Sequence, residues 1–175
     1  MLRTILVGIA MVTGVSGPAL ANSDQTSGTA SALIALPLQI TKTQDLAFGQ
    51  IIPTGAGPAQ VTISAQTGSR VATANANLQG TVGDRATFTV SGQPSTSFQI
   101  LVAGPIIFLS GPGLTITIDN LRVSANAGAE QLFASTHVIP ASGTLTLGVG
   151  GRLNASATQT AGNYSGDFQL TAVHQ

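Results

Sequence analysis

Leu114-Thr115-Ile116-Thr117-Ile118 alternates apolar residues with threonine without a break, and that alternation decides the fold. Successive side chains of an extended chain point to opposite faces, so Leu114, Ile116 and Ile118 share one face and the two threonines the other. The same period runs through Val61-Thr62-Ile63, Phe88-Thr89-Val90, Phe98-Gln99-Ile100, Leu145-Thr146-Leu147 and Phe168-Gln169-Leu170. Threonine at the outward positions suits a pleated surface better than a helix. Nearer the N-terminus, Ala32, Ile34, Leu36, Leu38 and Ile40 also share one parity. They read as the domain's own first strand; the alternative is a segment exchanged between copies.

Turn chemistry separates these runs. Pro53-Thr54-Gly55-Ala56-Gly57-Pro58, Gly92-Gln93-Pro94-Ser95, Gly111-Pro112-Gly113, Ala141-Ser142-Gly143 and Gly150-Gly151 lie mostly about a dozen residues apart, as hairpin-linked antiparallel strands require. Phe98 to Leu109 is cut by Gly104-Pro105 and reads as two strands and a turn. Ala127 to Ala134 is the best candidate for one short helical turn. About eight to ten short strands in one domain predict an all-β, antiparallel β-sandwich, with a closed barrel as the alternative.

The first residues carry the three parts of a secretory signal. Arg3 is the positive region, Thr4 to Val15 the apolar core, and Ala19-Leu20-Ala21 a small-x-small cleavage site. A spanning helix needs roughly 20 apolar residues, so residues 1–21 read as a cleaved signal peptide and not as an integral membrane anchor. Residues 22–31 are polar and small, and 32–175 form the single predicted domain. The expected location is beyond the inner membrane of a bacterium: periplasm, cell surface or medium. The chain has no cysteine, so a lipoprotein anchor, a disulfide and thiolate metal sites are all excluded.

Little in the chain nominates chemistry. Its six acidic residues are scattered singly, and the two histidines, His137 and His174, stand in no metal-ligand spacing. Gly162-Asn163-Tyr164-Ser165-Gly166 misses the nucleophile-elbow pattern by one place. Gly148-Val149-Gly150-Gly151 lies between strand-like runs and reads as a turn or bulge, not as a phosphate loop. Neither an enzyme nor a cofactor is expected. Without a basic patch, nucleic acid is not an expected partner. With 7% charged residues, little repulsion keeps copies apart.

Pro37-Leu38-Gln39-Ile40-Thr41-Lys42-Thr43-Gln44-Asp45-Leu46-Ala47-Phe48-Gly49 resembles the opening of a bacterial secreted family known as domain of unknown function 4402. Ala161-Gly162-Asn163-Tyr164-Ser165-Gly166-Asp167-Phe168-Gln169-Leu170-Thr171 resembles its closing strand. The family-motif core is then Leu46, Phe48, Gly49, Tyr164, Gly166, Phe168 and Leu170. The family is in turn distantly similar to spore coat U and archaic chaperone–usher pilin domains. That resemblance implies an immunoglobulin-like sandwich and a role in surface fibres, where a neighbour's strand completes each subunit.

Two functional expectations follow. One is an exported, non-enzymatic structural protein, a pilin-like or coat-like subunit whose partners are copies of itself or other envelope proteins. The other is a self-contained secreted module that binds a glycan or an envelope protein.

Overall fold

The computed structural model describes residues 25–34, 36–81 and 83–175. The predicted signal peptide lies outside the described residues. The chain divides into two units, Met1–Leu33 and Ile34–Gln175. In the first, residues 25–33 have no regular structure.

Among its described residues the second unit carries twelve strands: β1 Gln39–Gln44, β2 Gln50–Pro53, β3 Ala59–Ile63, β4 Arg70–Ala74, β5 Ala76–Gln79, β6 Ala86–Ser91, β7 Ser97–Val102, β8 Ile107–Leu109, β9 Ile116–Ala125, β10 Thr136–Val138, β11 Thr144–Ala155 and β12 Leu170–His174. The excess over the expected eight to ten comes from strands of three or four residues, too short to show a period in the sequence.

Every pairing is antiparallel. In the large sheet β11 is the spine, bordering β6 along Thr144–Val149 and β3 along Gly151–Ala155. It also borders β9, from Leu147 opposite Ala125 to Asn154 opposite Thr117. β1 pairs with β6, β4 with β3 and β8 with β9. A second sheet has the order β10-β7-β12, and β2 pairs with β5.

The alternation that predicts the strands is the alternation that buries them. In β3, Ala59, Val61 and Ile63 are buried while Gln60 and Thr62 are half-exposed; in β6, Ala86, Phe88 and Val90 point inward. One apolar cluster gathers Phe48, Val61, Ile63, Ile118, Leu121 and Leu153. A second gathers Val90, Phe98, Ile100, Val123, Leu147 and Val149, with side chains from the two sheets. Leu46, Phe133 and Phe168 pack against both. Burying one such side chain is worth about 1.5–3 kcal/mol, so these layers hold the sandwich together without a covalent cross-link.

Three sequence expectations change. Gly148, Gly150 and Gly151 form no turn but follow the bulge alternative: they lie inside β11, the longest strand, with a register shift between Gly150 and Arg152. A side chain at Gly150 would collide with the Ile63 carbonyl and the Ala65 amide, and one at Gly148 with the Ala65 carbonyl. Glycine is thus required where the end of β3 crosses close to the spine. Ala127 to Ala134 forms no helix, because Asn126, Ala127 and Ala134 take φ of 48°, 57° and 68°, which no α-helix contains. The first strand begins at Gln39, not at Ala32.

Candidate functional site

A β-strand has two hydrogen-bonding edges, and an unpaired edge attracts another strand. Among the described residues β1 pairs with β6 alone and β12 with β7 alone, although β1 and β12 lie close to each other. The first and last strands of the sandwich therefore each keep a free edge on neighbouring ground.

The lips of this seam are apolar and half-open. Ile40 stands opposite the fully buried Val90, so it points inward from β1. Leu170 and Ala172 point inward from β12, opposite Val102 and Ile100. Leu38, Ile40, Phe168, Leu170 and Ala172 are only partly buried, and all pack on the cluster around Val90 and Phe98. At one end Lys42 pairs with Asp45 at 2.6 Å. The hydrogen bond and charge of Asp45 hold the Lys42 ammonium above the ordinary lysine range, and Asp167 adds to this from a greater distance.

The segment ahead of β1 is the opposite of buried. Leu33 is 92% exposed, Ile34 93% and Leu36 58%. An apolar stretch of this kind in water forfeits about 25 cal/mol for each Å² it could bury. Of the five residues predicted as first strand, only Ile40 lies in β1. Leu38 rests over Gly92, where an added Cβ would meet its Cδ1 at 3.2 Å. Ala32, Ile34 and Leu36 lie in no strand.

The family-motif residues do not converge on one chemical centre; they pack. Phe48 is buried, Leu46 joins the two clusters, and Gly49 turns the chain at φ 65°. Tyr164 covers Gly111 and Gly113, where added side chains would collide with its ring and hydroxyl, and its Oη donates to the Thr160 carbonyl at 2.8 Å. Ser110 and Ser165 exchange backbone hydrogen bonds of 2.8 and 3.0 Å. Gly166 lies against the Phe108 carbonyl with no room for a Cβ. Residues 160–168 are thus a strap leading into β12.

Sequence reasoning missed a pocket beside this strap. The turn between β7 and β8 and the residues before β12 enclose about 460 Å³, lined by Val102, Pro105, Ile106, Phe108, Asp167 and Phe168. The signal for it was Ile106-Ile107-Phe108, three consecutive apolar residues at the start of β8, where side chains on opposite faces cannot all be buried. Phe108 is 61% exposed.

Among the described residues no group of three or more His, Asp or Glu side chains is placed to hold a metal ion. Two carboxylates make contacts that tie strands and turns together. Asp119 accepts two 2.9 Å bonds from Arg152, and these hold its carboxyl below the ordinary range. Glu130 caps the turn after β3, accepting from Ser64 Oγ and the Gln66 amide. Burial pushes its carboxyl up, but the hydrogen bonds outweigh that and leave it lowered.

The fold and the seam define an all-β antiparallel sandwich whose accessible resources are backbone edges and apolar side chains. The chain belongs to the family described as Domain of unknown function (DUF4402), which it matches over residues 38–174. That span begins at Leu38, one residue ahead of β1, and ends at the last residue of β12. No curated protein and no solved structure matches the chain.

Proposed function

We propose that this chain is an exported, non-enzymatic structural subunit of the bacterial cell surface, pilin-like or coat-like, joined to its partners by strand and surface packing. The observation that carries this reading is the combination of an exposed apolar segment, Leu33 to Leu36, with free strand edges on β1 and β12. Strand addition at such an edge supplies main-chain hydrogen bonds, and alternate side chains filling apolar sites supply specificity. Residues 32–38 provide the alternating side chains; Ile40, Phe168, Leu170 and Ala172 provide a lip for them. The resemblance to spore coat U and archaic pilin domains points the same way.

The test is association of the exported chain. Sedimentation should show concentration-dependent assembly that Ile34→Ser with Leu36→Ser abolishes while the unfolding midpoint stays unchanged. A synthetic peptide of residues 32–40 should compete with assembly. A chain that stays monomeric at all concentrations, and ignores the peptide, overturns the reading in favour of a self-contained binding module.

A further inference from the structure

His137 is the one buried side-chain polar group among the described residues that lacks a hydrogen-bond partner: its Nε2 is sealed from solvent and meets neither donor nor acceptor. The residue is 7% exposed and its ring lies 5.7 Å from that of the fully buried Phe98. A buried polar atom left unpaired is costly, and a charge there far more so.

The surroundings offer no compensation. On β10 the neighbours Thr136 and Val138 are exposed. β7 presents Phe98 and Ile100. From β12 comes His174, in the same cross-strand row as His137 and Phe98 but exposed to solvent. The facing layer presents Val90, Leu145 and Leu147. Its charged side chains are occupied elsewhere: Lys42 with Asp45, Asp119 with Arg152, Arg70 with the carbonyls of Phe48, Gln79 and Gly80, and Arg122 on the face opposite the buried Leu121 and Val123. Burial alone therefore pushes the His137 imidazole below its ordinary pKa of 6.5.

β10 itself is three residues long and pairs only with β7. Just past it, Ile139 is buried and exchanges backbone bonds with Ser95 and Thr96, which anchors the end of the strand. Release of residues 136–138 from β7 about that anchor would bring the His137 ring to water. We propose that His137 is a proton-operated latch: uncharged, it keeps β10 on β7; protonated, it leaves the core with β10 and uncovers the β7 edge that β10 covers. This holds whether or not copies associate through β1 and β12.

The sign follows from linkage. With the folded-state pKa below 6.5, the latch is fully closed above pH 6.5 and loosens as pH falls from there through the folded value. Proton NMR of the full chain should show His137 titrating below the ordinary imidazole value of 6.5. Amide protection factors of residues 136–138 should fall about tenfold for each pH unit between pH 6.5 and the His137 midpoint and level off below it, as a single-proton linkage requires, while those of β11 hold. In His137→Phe the protection of β10 should not change over the same range. Titration of His137 at or above pH 6.5, or a titration that leaves β10 protected, overturns the latch; both are read on the wild-type chain, whatever the variant's stability.

Discussion

The rings of Phe88 and Phe168 meet edge to face, with centroids 6.0 Å apart and planes at 75°. Phe88 belongs to β6 in the large sheet, and Phe168 leads into β12 in the small one. Their contact ties the two layers together beside the seam where β1 and β12 leave their edges free. Such pairs add about 0.5–1.5 kcal/mol beyond the area they bury.

Phe168→Ala should therefore cost about 3 kcal/mol, and Phe48→Ala, whose side chain is buried more fully, about 3–5 kcal/mol. Chemical denaturation at equilibrium reads both. A near-neutral Phe48 variant would remove that residue from the core.

Gly150→Ala should cost about 3 kcal/mol or prevent folding, because backbone atoms, not flexible side chains, occupy the space its Cβ needs. Gly28→Ala, with open space around it, should change stability by less than about 0.5 kcal/mol. Soluble yield and thermal unfolding distinguish them.

Tyr164→Phe removes one hydrogen bond, to the Thr160 carbonyl, and should cost about 0.5–1.5 kcal/mol. Tyr164→Ala should cost more, since it also uncovers Gly111 and Gly113. Equal losses in the two variants would mean that the ring contributes nothing.

Asp119 is held below its ordinary carboxyl range of 3.8 mainly by the hydrogen bonds from Arg152. Its contribution is present above pH 3.8 and is lost as pH falls through the lowered folded-state value. Asp119→Asn should flatten that acid limb of the stability curve and lower stability slightly at neutral pH, the pair being partly solvent-exposed. An unchanged acid limb would show that the pair is energetically silent.

Thr171→Lys places a charge on the free edge of β12, where the native side chain is already exposed. Stability should move by less than about 0.5 kcal/mol, while edge-to-edge association weakens. Sedimentation of this variant separates a role for the β12 edge from one for β1.

The fold was legible wherever burial is one-sided. Val61-Thr62-Ile63, Phe88-Thr89-Val90 and Leu145-Thr146-Leu147 alternate because one face meets the core, and all three lie in strands. Leu114 and Phe168 extended two predicted runs past their real starts, at Ile116 and Leu170. Phe168 packs from a loop and Leu114 lies exposed in one, and period alone distinguishes neither from a strand. The glycines of β11 misled for a different reason: their local signal is turn-like, whereas the demand for them comes from the β3 backbone, distant in sequence. The seam was half legible. The parity of Ala32 to Ile40 is visible in the chain, but whether a strand has a partner on each side is a property of the topology. His137 carried no signal at all, since the void around its Nε2 arises only when β7 and β10 meet.

β11 has a consequence in time. It borders β6, β3 and β9, and its residues are nearly the last to arrive: Ala155 must pair with Ala59, and only β12 follows it. A chain emerging from its N-terminal end has no spine on which to assemble the large sheet until most of its length is free. Contacts this distant in sequence form slowly. The strand order thus delays its own closure, and leaves the large sheet open until nearly the whole chain is present.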